Sequence, residues 1–237
     1  MDNLFDLLII DIETVPKVQS FENLSNNWQE LWDEKVSKTM PELSSEESFK
    51  KKAGILAEFG KIICISVAYF FENHQKELCL KVKNVSSYSE KEVLEGFIKI
   101  TNQFQKKFKK FQFAGHNIRE FDIPFICRRM IVNNIELPEY FQLQDKKPWD
   151  IKMLDTMSWW KFGDYKNFTS LHLLANVLDV PTSKIDMDGS QVQEVYYVEN
   201  NLQRIVDYCN LDVQVVANII LRFKNMPILL PQHVETV

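Results

Sequence analysis

The chain has 237 residues, 45% of them hydrophobic and 12% aromatic, with a formal net charge of −5. That length and composition suit one large domain, or one domain carrying an insertion, with a substantial core. The acidic balance argues against a sequence-specific duplex binder with a broad basic surface, but not against a protein whose own carboxylates hold cations.

Taken in chain order, Leu4 to Ile12 is rich in Leu and Ile and reads as a strand buried on both faces, ended by Pro16. Residues 17–59 read as an excursion. Trp28, Leu31, Trp32 and Val36 fall at helical spacing, a charged stretch follows, and a second short helix ends at Gly54 or Gly60. Ile62 to Phe71 and Glu77 to Val85 are two further strands with a turn near Glu72-Asn73-His74. Glu90 to Phe108 is an amphipathic helix, Phe111 to Ala114 a strand stopped by Gly115, and Phe121 to Val132 a helix with Pro124 in its first turn. Trp149 to Thr156 fits either a fifth strand or a helix start. Leu171 to Leu178 is helical, and Asn201 to Phe223 is the clearest helix, with apolar residues spaced by three and four throughout. Early strands with tight connections, then alternating helices and strands, imply an α/β chain with a mixed sheet flanked by helices.

Cys64, Cys79, Cys127 and Cys209 lie in apolar segments without CxxC spacing, which reads as four reduced core cysteines in a cytoplasmic protein and argues against a zinc site. The first residues include Asp2 and Asp6, unlike the basic start of a signal peptide, and no apolar run is long enough for a membrane span.

Three places carry polar groups that an ordinary core does not need. In Ile9-Ile10-Asp11-Ile12-Glu13-Thr14, alternation puts Asp11 and Glu13 on the same strand face as Leu7 and Ile9. Two carboxylates side by side at the end of a buried strand repel each other, and a hard divalent cation relieves the repulsion; a solvated strand end is the plain alternative. In Gly115-His116-Asn117-Ile118-Arg119-Glu120-Phe121-Asp122-Ile123-Pro124, an aspartate stands at a helix start close to a strand end, where it serves either as an N-cap or as a group reaching into a cleft. In Tyr208-Cys209-Asn210-Leu211-Asp212, the tyrosine and the aspartate are four apart, so they share a helix face bordering the apolar stripe.

The order D-x-E, then N-x(4)-D, then Y-x(3)-D resembles the three motifs of the DEDD superfamily of 3′–5′ exonucleases, which share the ribonuclease H-like fold. Tyr208 is similar to the mark of the tyrosine subgroup, which includes the proofreading domain of family B DNA polymerases. The histidine subgroup has His five residues before the last aspartate, where this chain has Asp207. The resemblance spans residues 4 to 223 and implies a five-stranded mixed sheet in a single exonuclease domain over 1–237, with 17–59 as a helical insertion after the first strand.

It further implies a two-metal hydrolysis of single-stranded nucleic acid from the 3′ end, with magnesium or manganese, releasing nucleoside 5′-monophosphates. Asp11 would bridge both metals, Glu13 and Asp212 would complete the tighter site, and Asp122 would hold the second. Tyr208 would hydrogen-bond the attacking water, Thr14 would offer its backbone to the terminal nucleotide, and Asn117 would steady the substrate or the second-metal shell. His116 is a further substrate-side candidate, and Arg128 and Arg129 fit either phosphate contacts or a solvated face. DNA is favoured over RNA. The alternatives are an RNA exonuclease of the ribonuclease D kind, a non-catalytic ribonuclease H-like binding module, and a metal-dependent nucleotide phosphohydrolase. The lysine run Lys106, Lys107, Lys109 and Lys110, and the aromatics Trp159, Trp160 and Phe162, fit either nucleic-acid contacts or an ordinary surface and core.

Overall fold

The computed structural model describes residues 4–36, 38–147, 149–164, 166–182 and 187–237. Strand β1 (Leu7–Pro16) begins after a single 3-10 turn at Leu4–Asp6, later than the sequence implies, and runs on through Pro16. Helices α1 (Asn26–Val36) and α2 (Ser45–Lys52) follow, then β2 (Gly60–Glu72), β3 (Leu78–Ser86), α3 (Glu90–Lys107), β4 (Gln112–Gly115) and α4 (Asp122–Val132). The ambiguous stretch around residue 153 is strand and then helix: β5 (Met153–Asp155) passes directly into α5 (Thr156–Lys161). The Asp155 side chain makes that switch by capping the Met157 and Ser158 N–H groups. Last come α6 (Leu171–Val177), α7 (Val192–Tyr197), α8 (Leu202–Phe223) and β6 (Val234–Thr236).

Among the described residues the strands form one sheet in the order β5-β4-β1-β2-β3-β6. β1 and β3 run antiparallel to β2, while β4, β5 and β6 join by parallel pairing. The five expected strands are all present, and a short edge strand at β6 is added to them. With helices on both faces, this is the ribonuclease H-like arrangement.

β1 is buried on both faces because each face meets a helix layer. Leu8, Ile10 and Ile12 pack with Val93, Leu94 and Phe97 of α3 and with Ile126 and Met130 of α4. Leu7 and Ile9 pack with Val213, Val216, Ala217 and Ile220 of α8. Val15 and Ile63 meet Ile205 at the start of α8 together with Val192, Val195 and Tyr196 of α7. The helix therefore runs antiparallel to β1, its C-terminal half over Leu7 and Ile9 and its first turns over Val15. That direction carries Tyr208, Cys209 and Asp212 to the level of Asp11 and Glu13.

The insertion builds a small core of its own. Trp32 lies edge-on to Phe49 and Phe59, among Leu24, Val36 and Ala53, and its indole N–H donates to Ser48 Oγ at 3.0 Å. A capping box between Ser44 and Glu47 starts α2.

Candidate active site

The site forms where the sheet runs out. β4 pairs with β1 only from Leu7 to Ile9 and stops at Gly115, so among the described residues the β1 edge beyond Ile9 has no strand partner on that side. Gly115 permits the close turn: a β-carbon there would lie 2.1 Å from Ile118 Cγ2 and 2.9 Å from the Ile10 carbonyl oxygen. The chain then turns through Asn117, whose φ of 62° is left-handed, and enters α4. Asp122 is the first residue of α4 but does not cap it. Its carboxylate turns back to the sheet and accepts the Ile12 N–H at 3.2 Å, filling the place a strand partner would have taken.

Asp11 and Glu13 project from the α8 face, opposite Ser66 and Cys64 of β2. Ser66 Oγ donates to Asn210 Oδ1 of α8 at 2.8 Å, which fixes the helix over the strand. The register slips by one residue between Glu13 and Thr14, with Ile63 as the extra residue on β2. Cys209 donates its S–H to Asp11 Oδ2 at 3.3 Å, and Asp11, Glu13 and Cys209 each present a ligand atom within 4.8 Å of the others.

The electrostatics are those of unneutralised negative groups. Glu13, Asp122 and Asp212 are 7%, 3% and 6% exposed. Burial, then repulsion from Asp212 and Asp122, pushes the Asp11 carboxyl well above its usual range. Burial and the charges of Asp11 and Asp212 do the same to Glu13. Burial pushes Asp122 up to about 7 even though its hydrogen bond from Ile12 opposes the rise. Among the described residues, Asp11, Glu13 and Asp122 have no Lys, Arg or His ion pair. Tyr208 is raised by burial and by Asp212, Glu13 and Asp11, so its hydroxyl keeps its proton near neutrality. This donor set suits hard divalent cations: clustered carboxylate oxygens in a dry setting, lacking the positive charge that would make them stable.

The substrate-side expectations divide. Thr14 lies on a cleft of ≈ 750 Å3, with Pro16 beside it, Phe21, Lys50 and Gly54 of the insertion on one side and Gln193 and Tyr197 of α7 on the other. The insertion and α7 meet there, Tyr197 donating to the Pro16 carbonyl at 2.6 Å and Gln193 to the Gln19 carbonyl at 3.2 Å. Asn117 Oδ1 is buried without a hydrogen-bond partner among the described residues, an acceptor waiting for a donor. His116 is committed elsewhere, its ring nitrogens 2.9 Å from Thr156 Oγ1 and from the Thr169 carbonyl oxygen, and burial lowers its pKa.

Arg128 is exposed, whereas Arg129 is 8% exposed and bound to Glu90 through two nitrogens at 2.6 and 2.8 Å, with a third on the Ala57 carbonyl. Arg129 is thus an internal brace, and its guanidinium is not available to a phosphate. The four lysines at 106, 107, 109 and 110 are exposed, and Trp160 stacks on Phe223. Phe162 is 90% exposed. A larger hollow of ≈ 950 Å3, lined by Ile131, Asn134 and Gln144 among others, holds none of these residues.

Cys209 is the site neighbour that sequence reasoning treated as plain core. Its place immediately after Tyr208 in the third motif was the available signal.

A ribonuclease H-like sheet with carboxylates gathered at the open edge of its first strand is a site for metal ions, and the family match makes the chain a metal-dependent 3′–5′ exonuclease acting on nucleic acid. The chain belongs to the family described as a predicted 3′-5′ exonuclease related to the exonuclease domain of PolB, whose model matches residues 55–233. That span contains Asp122, Tyr208 and Asp212; Asp11 and Glu13 lie before it. Among solved structures, the family B DNA polymerase from the hyperthermophilic archaeon Pyrobaculum calidifontis is similar, at 12% identity and a TM-score of 0.50. The match covers 92% of this chain and 24% of the polymerase chain, and at that identity it speaks for the fold. No curated protein matches the chain. No helix among the described residues is long and apolar enough to cross a membrane.

Proposed function

We propose that the chain, as one domain over residues 1–237, removes nucleotides from the 3′ end of single-stranded DNA and releases nucleoside 5′-monophosphates. In this reading Asp11, Glu13, Asp122 and Asp212 hold two divalent cations, magnesium or manganese. The observation that carries it is the cluster of half-buried Asp11 with buried Glu13 and Asp122, none of which has a compensating basic side chain among the described residues. When bound, the cations supply charge for the attacking water, the phosphate and the leaving oxygen.

The protein residues do the rest. Asp11, whose carboxyl feels both Asp212 and Asp122, would serve both cation positions. Asp122 is held in place by the Ile12 N–H. Tyr208, protonated and beside Asp212, orients the water by a hydrogen bond and has no need to lose its proton. Asn117 offers its unpartnered oxygen to a water or to the nucleotide. Thr14 receives the terminal nucleotide at the mouth of the cleft between the insertion and α7. Four free cysteines agree with a reducing, cytoplasmic location.

The test is digestion of matched 5′-labelled single-stranded DNA and RNA oligomers with magnesium or manganese, beside an Asp11→Ala/Glu13→Ala double variant. A ladder shrinking from the 3′ end, metal-dependent and absent in the variant, is expected, with DNA cut faster. Faster loss of RNA would move the substrate to the ribonuclease D kind. No shortening of either strand by folded protein with both metals overturns the reading.

A further inference from the structure

The carboxylates account for a hard cation but leave the sulfur among them unexplained. Cys209 is fully buried, and its Sγ lies 3.3 Å from Asp11 Oδ2 and 3.5 Å from the Asp11 carbonyl oxygen. Glu13, only 7% exposed, has no hydrogen-bond partner for its carboxylate among the described residues and presents an oxygen within 4.8 Å of both Asp11 and that sulfur. Beside Cys209 lies a second fully buried thiol, Cys64, in the same small cluster with Val206.

We propose that Cys209 makes the Asp11–Glu13 pair a mixed oxygen–sulfur site that captures a thiophilic divalent cation, zinc above all, and that this cation displaces the hard cation of the reaction and silences the enzyme. The proposal rests on the reading of these carboxylates as a cation site.

The geometry is close to what such an ion requires. Zinc bonds sulfur at about 2.3 Å and carboxylate oxygen at about 2.0–2.2 Å, so oxygen and sulfur on a tetrahedral ion stand roughly 3.5 Å apart. The observed 3.3 Å between Cys209 Sγ and Asp11 Oδ2 is nearly that separation before any ion enters. Softness gives the selectivity. A thiolate adds little to magnesium but strongly favours zinc or cadmium, and zinc already outranks manganese for a given set of ligands. The chain supplies three ligands, two oxygens and one sulfur, and the ion silences the enzyme by taking the Asp11 and Glu13 oxygens that the hard cation needs. Binding involves no oxidation: the sulfur–metal bond forms as the thiol proton passes to solvent. A serine at 209 would leave the carboxylates able to take a hard cation but would remove the preference.

The test uses full-length protein stripped of metal and titrated with cadmium ion, followed by the ultraviolet thiolate-to-cadmium charge-transfer band. This readout is independent of turnover. Wild type is expected to develop the band with saturation at one ion per chain, and excess manganese is expected to reverse it. Cys209→Ser is expected to lose the band, while Cys79→Ser keeps it. In parallel, zinc inhibition is measured relative to each variant's own magnesium-supported rate, and Cys209→Ser should need at least ~10-fold more zinc. Should Cys209→Ser fail to fold, Asp11→Asn keeps every thiol and is expected to weaken the band.

No band in folded wild type, a band that persists in Cys209→Ser, or a band indifferent to both manganese and Asp11→Asn overturns the proposal. A protein that shows the band but degrades no nucleic acid would keep the sulfur site and sink the exonuclease reading instead.

Discussion

Glu13 and Glu90 are buried to nearly the same depth, 7% and 8% exposed, yet they are treated in opposite ways. Glu90, at the start of α3, receives a two-point contact from Arg129, the Asn133 side-chain amide at 2.8 Å and the Ile62 N–H at 2.7 Å. Its charge is fully met, and the group ties α3, α4 and β2 together. Glu13 receives nothing of the kind and sits among Asp11, Asp122 and Asp212, which raise its pKa further. Asp155 is a third case, 1% exposed and satisfied by the backbone N–H groups of Asn117, Arg119, Met157 and Ser158. A buried carboxylate with its partners built in holds the fold; one denied partners is kept for something that arrives from outside.

The comparison breaks most visibly if a carboxylate that lacks a basic partner is neutralised. If Asp11 holds the ions as proposed, Asp11→Asn should lower the rate of 3′-end shortening by about three orders of magnitude or more, since several kcal/mol of transition-state stabilisation would depend on them. Metal-free urea unfolding of the same variant should show no loss of stability, because a repulsive charge has gone.

The mirror experiment is Arg129→Met. It strands Glu90 and should cost about 3–5 kcal/mol in urea unfolding. The surviving folded fraction should retain its metal dependence.

Acidity gives a third contrast. The Asp11, Glu13 and Asp122 values are raised in the folded chain, so above about pH 4, the ordinary carboxylate value, the folded state holds protons that the unfolded state has released. Stability of the metal-free protein should fall as the pH rises from there through about 7, the folded value of Asp122. Thermal melts at pH 5 and pH 8 would show this, with manganese raising the melting temperature more at pH 8. A melting temperature that climbed across the same interval without metal would mean that these charges are compensated after all.

The smallest effect belongs to Tyr208→Phe. Losing one hydrogen bond to an oriented water should slow single-turnover cleavage roughly ten- to hundredfold and leave the melting temperature in place.

What was legible in the sequence follows from range. Alternation in β1 and the 3–4 spacing of α8 are local patterns, and they located Asp11, Glu13, Tyr208 and Asp212 on the correct elements and faces. Asp122 was legible as a helix start, but its true acceptor role joins residues 110 apart in sequence, which no local pattern reports. The same limit hid the engagement of Arg129: a surface arginine and a bracing arginine look alike until Glu90, 39 residues away, is seen beside it. The short α7 and β6 give too few residues for a period to show. Residues 17–59 were readable as two helices, but not as a module with a core of its own that forms a cleft wall, because Trp32, Phe49 and Phe59 find one another only in the folded chain.

The hydrogen bond from Ile12 to Asp122 has a consequence for how the molecule can be watched. An amide bonded to a neighbouring strand senses the fold, but the Ile12 proton is bonded to a carboxylate from α4 that titrates and that, in the proposed function, holds a cation. Its resonance frequency and its solvent-exchange rate therefore follow the occupancy of the reaction centre, and one backbone nucleus in the middle of β1 becomes a spectroscopic gauge of whether the enzyme is armed.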